Sequence, residues 1–203
     1  MKTSSKQRFR GRPTTFNREA VLTLAMNCYW CEGVKTLSIN EICRRISIAK
    51  PTLYREFGGE DGLLQAVLEH YEKEVLGSLL PLVLEAPTLQ LGLQELMIAI
   101  TTPSENPLGC LFVRLKQNAS QLGPLTRTLV EQLQKKMQLL YQNLIDIDQK
   151  KGLVRDDIDT AFVAKYIDTQ LMTMLEQISR GEDMKMVRKQ GELALSVLFP
   201  KEE

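Results

Sequence analysis

Two short stretches of this 203-residue chain carry side chains suited to chemistry. The first is Lys50-Pro51-Thr52-Leu53-Tyr54-Arg55-Glu56-Phe57. Lysine and arginine meet phosphates or guanine edges, and threonine and tyrosine bond phosphates or touch a thymine methyl. The second is Cys28-Tyr29-Trp30-Cys31, with Cys43 a little further on. A C-x-x-C pair can hold a metal or exchange thiols with a disulfide.

The cysteine pair is the weaker signal. Cys28 falls on a run of apolar residues at helical spacing, where a small hydrophobe is expected. No second C-x-x-C accompanies it, and the single histidine, His70, is expected at the surface or a pocket edge. One histidine without a nucleophile motif does not supply the base and partners an enzyme needs. Neither metal nor cofactor is expected, and the chain is not expected to be an enzyme. The rival reading is a helical enzyme or redox protein built on Cys28 and Cys31. Four cysteines at low density, without a signal-peptide core, favour free thiols in a reducing cytoplasm. No apolar run is long enough to span a bilayer, so no membrane partner is expected.

The elements that must position Lys50 to Phe57 are legible. Asn17 can cap a first helix, with Phe16 before it able to pack on Val21. Val21, Leu22, Ala25, Cys28 and Tyr29 form its apolar stripe, and Gly33 stops it. Ser38-Ile39-Asn40-Glu41 predicts a capping box opening a second helix, whose buried face is Ile39, Ile42, Cys43 and Ile46. Ser47-Ile48-Ala49 is a three-residue turn, and Pro51 fits the first turn of a third helix. Two short helices joined by such a turn can place the second in a DNA major groove. Leu53 and Phe57 would anchor it, and Arg44 and Arg45 would flank it.

Charge agrees with this. Residues 1–60 hold 11 Lys/Arg against 5 Asp/Glu, and the remainder holds 15 against 20. A basic front (net +6) on an acidic body (net −5) suggests a polyanion-binding module. Lys6, Arg8, Arg10 and Arg12 would extend it as an arm over residues 1–15.

Residues 12–77 resemble the DNA-binding domain of the TetR/AcrR family of bacterial regulators. The resemblance rests on Ser38-Ile39-x-Glu41-Ile42, on Lys50 to Phe57, and on Leu63-Leu64. It implies an all-α fold with an N-terminal three-helix helix-turn-helix domain and a larger C-terminal helical domain for ligand binding and dimerisation. It also implies a homodimer on near-palindromic double-stranded DNA, released by a small-molecule effector. The DNA-contact candidates are Ser38, Arg44, Arg45, Lys50, Pro51, Thr52, Tyr54 and Arg55. Three positions depart from the family pattern. Ser47 stands where glycine is common, Ala49 where a Ser/Thr cap is common, and Glu60 where a phosphate-binding lysine is common.

Beyond a helix-turn-helix domain at 16–60, the body at 61–203 reads as helical throughout. Pro81 and Pro87 are expected to break the chain after the fourth helix. Further helices are expected near 88–101, 108–121, 125–151, 157–179 and 183–198. Met97, Cys110, Phe112, Asn118 and Tyr141 are the ligand-pocket candidates. Ile167, Leu171, Met174 and Ile178, with Val187, Ala194 and Leu198, form two stripes that could meet a two-fold mate, or bury inside the same chain. Asp168 and Glu176 are expected to be solvated.

Overall fold

Local signals place the first three helices as the sequence predicts. The computed structural model describes residues 16–34, 36–103 and 109–200. Helix α1 (Arg18–Glu32) starts where the Asn17 side chain accepts the Ala20 N–H at 3.1 Å. It ends at Gly33, whose φ of +85° suits a residue without Cβ. Helix α2 (Ile39–Arg45) starts where Ser38 Oγ accepts the Glu41 N–H at 3.2 Å. Only half of the expected capping box forms. The Glu41 carboxylate turns instead to Arg44 and Arg45, because two guanidiniums offer charge-assisted bonds stronger than one amide.

Helix α3 (Lys50–Phe57) buries Leu53 and Phe57, then stops at Gly58, which is left-handed. Phe16, expected against Val21, lies edge-on to Phe57 at 6.3 Å, and Arg18 stacks over the same ring at 5.1 Å. The N-terminus of α1 is thereby tied to the end of α3.

Helix α4 (Glu60–Tyr71) runs without a break through a π-helical turn (Glu72–Leu76) into α5 (Gly77–Leu84). Pro81 therefore lies inside a helix rather than ending one. Its ring is exposed, and the wider π turn just before it alters the local register, so one missing donor is tolerated. Helix α4 is buried nearly all round, from Leu63 and Leu64 to His70 and Tyr71, because it is packed between the first three helices and the body. His70 is accordingly buried rather than on the surface, with Nε2 3.0 Å from the Thr23 hydroxyl.

The body adds α6 (Leu89–Ile100), α7 (Leu111–Gln117), α8 (Pro124–Lys150), α9 (Thr160–Ser179) and α10 (Met184–Ser196). Thr88, Asp159 and Asp183 cap α6, α9 and α10. The expected helix at 108–121 is shorter, since Gly109 and Cys110 are not helical and only a 3-10 turn at Ala119–Gln121 follows α7. No strand occurs among the described residues. The chain is all-α, with the N-terminal helix-turn-helix carried on a larger helical domain.

Two apolar cores result. One spans α1 to α4 and continues through Cys110–Leu115 to Val130 and Leu133 of α8. The other lies among α6, α8, α9 and α10. The first core does not stop at residue 60, so the N-terminal helices share their interior with the front of the body.

Two aspartates fix helix ends across this framework. Asp61, in the first turn of α4, accepts the N–H groups of Leu125 (2.9 Å) and Thr126 (3.1 Å) and the Thr126 hydroxyl (2.6 Å). It thus caps α8 from 64 residues away. Asp148, near the end of α8, accepts the Leu89 N–H at the start of α6 at 2.7 Å.

Candidate nucleic-acid interface and body cavity

The turn between α2 and α3 has a defined form. Ile48 N–H bonds the Cys43 carbonyl (2.9 Å) and Ser47 N–H bonds the Arg44 carbonyl (3.3 Å). This six-to-one and five-to-two pair is a Schellman motif, with Ser47 at its left-handed position, φ +56°. A serine there carries the strain that glycine would avoid. Ala49 then starts α3 with no side-chain cap. Pro51 in the first turn supplies a preset φ and removes one donor that would otherwise be unpaired.

Lys50, Pro51, Tyr54 and Arg55 of α3 are exposed, Thr52 is half-buried, and Ser38 is exposed at the start of α2. Tyr54 keeps about half its surface open (49%), unusual for an aromatic, while Leu53 between its neighbours is fully buried. The arginines differ in availability. Arg44 makes two bonds to Glu41, at 3.0 and 2.7 Å. Arg45 bonds Glu41 at 2.6 Å and pairs with Glu32 of α1. These two guanidiniums pull the Glu41 carboxyl down to about 2. Arg55 pairs with Glu56 at 2.9 Å. Among the described residues Lys50 is the cation of α3 without an ion pair. The arm at residues 1–15 lies outside the described residues.

All four cysteines are free thiols. Cys28 is half-buried, Cys31 exposed, Cys43 and Cys110 buried. Burial pushes the Cys43 thiol up, against the opposing pull of Lys50, and burial pushes Cys110 up as well. Protonated thiols are poor nucleophiles and poor metal ligands. Among the described residues no cluster of His, Cys, Asp and Glu could hold a metal ion.

The body holds a cavity of about 230 Å³. Its wall is mainly aliphatic, with Leu79, Leu140 and Leu171 among it, and includes Trp30, Tyr71, Tyr141 and Asp168. Three of the five expected pocket residues, Cys110, Phe112 and Tyr141, line it. Two do not. Met97 is buried in the second core, its sulfur near Gly191 where that glycine lets α10 approach. Asn118 faces a separate polar cleft of about 270 Å³, beside Tyr29, Arg114 and Arg180. Its amide is held by the Arg114 carbonyl at 2.8 Å.

Trp30 was not among the expected residues, since nothing in a C-Y-W-C run marks its indole as a cavity wall. It comes from α1 and packs edge-on against Tyr71, centroids 4.9 Å apart. The Tyr71 hydroxyl in turn donates to Cys110 Sγ at 3.1 Å. The cavity is therefore in direct contact with an N-terminal helix. Asp168 is not a solvated acid either. It lines the cavity, and Lys116 Nζ lies 3.3 Å away with both side chains about four-fifths covered.

Six of the seven expected dimer residues are taken up by the chain itself. Ile167, Leu171, Met174, Ile178, Val187 and Leu198 are buried in the second core. Ala194 is half-buried, its carbonyl accepting the Tyr166 hydroxyl at 2.8 Å. A side chain already covered in its own chain has no further area to bury on a partner. The faces of α9 and α10 left open carry Phe162, Met186 and Leu193, with Val197 just past α10.

Comparison with known proteins agrees with this geometry. A family model for bacterial regulatory proteins of the tetR family matches residues 21–67, from α1 into α4. Its N-terminal helices thus match the DNA-binding domain of the tetR family. The chain is similar to DNA-binding transcriptional regulators along most of its length. It is 25% identical over 190 residues to the HTH-type transcriptional repressor ComR of Escherichia coli K12, covering 90% of this chain and 89% of that one. It is 32% identical over 71 residues to the repressor BdcR of the same organism, 35% of this chain and 36% of that one. The regulator CifR, solved as a cysteine mutant with 26-base-pair operator DNA, has the same fold. Its TM-score is 0.78 at 24% identity, over 94% of this chain and all of that one. E. coli NemR in its reduced form superposes with a TM-score of 0.78 at 13% identity, over 91% of this chain and 97% of that one.

No helix of the described residues is long and apolar enough to cross a membrane.

Proposed function

We propose that this protein is a cytoplasmic repressor that binds a near-palindromic operator as a homodimer and releases it when a small molecule occupies the body cavity. The observation that carries this is Trp30. One side chain belongs both to the N-terminal domain and to the cavity wall, so a molecule entering the cavity must meet α1. Occupancy that shifts Trp30 and Tyr71 favours one placement of the N-terminal domain over another, which is a population shift. The named repressor function of ComR and BdcR supports the sign of regulation.

Within residues 16–60, Ser38, Lys50, Thr52, Tyr54 and Arg55 are the contacts we assign to DNA, with Pro51 shaping the start of α3. Arg44 and Arg45 both pair with Glu41 within α2, and Arg45 also ties α2 to Glu32 of α1. Residues 61–203 would hold the effector and the partner. Two copies would meet through the open faces that carry Phe162, Met186, Leu193 and Val197. A two-fold pair would set two α3 helices about one DNA turn apart.

Fragments of the source genome selected on the purified protein supply the operator for the test. Tyr54→Ala is expected to abolish specific binding in an electrophoretic shift assay while light scattering still reports the dimer. Specific binding retained by Tyr54→Ala refutes the assignment of α3. Leu193→Glu is expected to give monomers, and a dimer unchanged by it refutes the interface.

A further inference from the structure

The cavity also defines the chemistry of what fills it, an inference that rests on its being the effector site. Its volume of about 230 Å³ exceeds the roughly 150 Å³ of an engineered cavity that holds benzene, so a substituted six-membered ring is of suitable size. Most of the wall is hydrocarbon and selects an apolar body. The polar groups are few and specific. Asp168 is the charged residue of the wall among those described. Its Oδ2 faces Lys116 Nζ at 3.3 Å, so the pair contributes no net charge. The second carboxylate oxygen keeps its capacity to accept. Tyr141 is almost wholly buried in the same wall. Burial first, and the negative charge of Asp168 second, hold its phenol protonated. The cavity therefore presents a donor and an acceptor in one apolar wall.

Four kinds of ligand can be compared on that basis. A pure hydrocarbon would leave the Tyr141 hydroxyl and the second Asp168 oxygen without partners in the wall, which is costly. A carboxylate would face the carboxylate of Asp168, and the countercharge Lys116 is not in the wall. A cation would have to displace Lys116 from Asp168 and strand a largely covered ammonium. A hydroxyl accepts from a phenol and donates to a carboxylate with one atom. We propose that the cavity takes a neutral, largely apolar molecule carrying a hydroxyl group, which bonds Tyr141 and Asp168.

One scaffold with four end groups tests this: 2-phenylethanol, propylbenzene, phenylacetate and 2-phenylethylammonium. Calorimetric titration of the full chain gives the affinities. The indole N–H resonance of Trp30, the chain's single tryptophan, reports whether the probe reaches the cavity. Tyr141→Phe and Asp168→Asn are each expected to weaken 2-phenylethanol about tenfold and to leave propylbenzene within twofold. The two charged probes are expected to bind more than tenfold more weakly than the alcohol. Tyr141→Phe is nearly isosteric, so it decides the matter if Asp168→Asn does not fold.

An alcohol affinity unchanged in Tyr141→Phe overturns the proposal. So does tighter binding of either charged probe, or no binding by any of the four up to their solubility. Operator release is followed in the same samples. Alcohol bound at Trp30 without loss of DNA binding overturns the effector reading and leaves the ligand chemistry standing. Failure of every probe overturns the ligand chemistry and leaves the DNA-binding assignment standing.

Discussion

Replacing Asp61 tests the joint between the N-terminal helices and the body. Its carboxylate accepts two backbone N–H groups at the start of α8 and the hydroxyl of Thr126, which is fully buried. Loss of a helix cap costs about 1 kcal/mol, and a bond to a charged group contributes about 1.5–3 kcal/mol. The site is partly open to water, which can take over the two amides, while the buried hydroxyl keeps only its longer, uncharged bond to the Asp61 backbone carbonyl at 3.1 Å. Asp61→Ala is therefore expected to cost about 2–3 kcal/mol. For a chain of this size each kcal/mol moves Tm by about 2–4 °C, so the melt should fall by about 4–12 °C. Asp61→Asn keeps one acceptor and should lose about half as much.

The pH dependence has a definite sign. Burial raises the Asp61 carboxyl, but the Thr126 hydroxyl, the two amides and Arg127 outweigh it, and the folded value lies below the ordinary one. Stability from a lowered carboxyl is fully present above its unfolded value and is lost as pH falls through the folded value. The gap between wild type and Asp61→Asn should therefore be constant near neutrality and shrink below about pH 4. Thermal melts followed by circular dichroism across that range make the measurement. An Asp61→Ala melt within 1 °C of wild type at pH 7 would show that the reasoning about this cap is wrong.

Three further outcomes follow from the same geometry. Ser47→Gly relieves a left-handed serine, a gain of about 1–2 kcal/mol offset by about 0.5–1 for the freer unfolded chain, so the urea midpoint should rise; a fall would contradict the Schellman assignment. Gly62→Ala would drive a Cβ into the Phe57 carbonyl oxygen, so it should cost about 3 kcal/mol or more and separate α3 from α4; a wild-type urea midpoint would refute that packing. Lys50→Ala should reduce the log–log salt slope of operator binding by about 0.9, while Arg45→Ala, already committed to Glu41 and Glu32, should change it by less than about 0.3; equal slopes would show that Arg45 leaves its ion pairs on DNA.

The sequence by itself determined the elements that local chemistry specifies. Asn17, Ser38 and Pro51 start helices through bonds or dihedrals reaching only three or four residues, and Gly33 and Gly58 stop them the same way. The buried anchors Leu53 and Phe57, with the open positions between them, follow from helical period alone. What each side chain meets across the fold was decided only by tertiary structure. Periodicity marks an apolar stripe but not its partner, so Ile167, Leu171, Met174 and Ile178 could be read as facing a second copy until α8 and α10 are seen to cover them. A polar residue on a helix reads as solvated, so Asp61 and Asp168 carry no local sign that one caps a helix 64 residues away and the other closes a cavity. Charge composition marked Arg44 and Arg45 as basic, and only the fold shows that both pair with Glu41 and that Arg45 also reaches Glu32. The cavity and its contact with Trp30 exist only because α1, α4, α5, α6, α7, α8 and α9 converge, and convergence is a property of packing rather than of any window of residues.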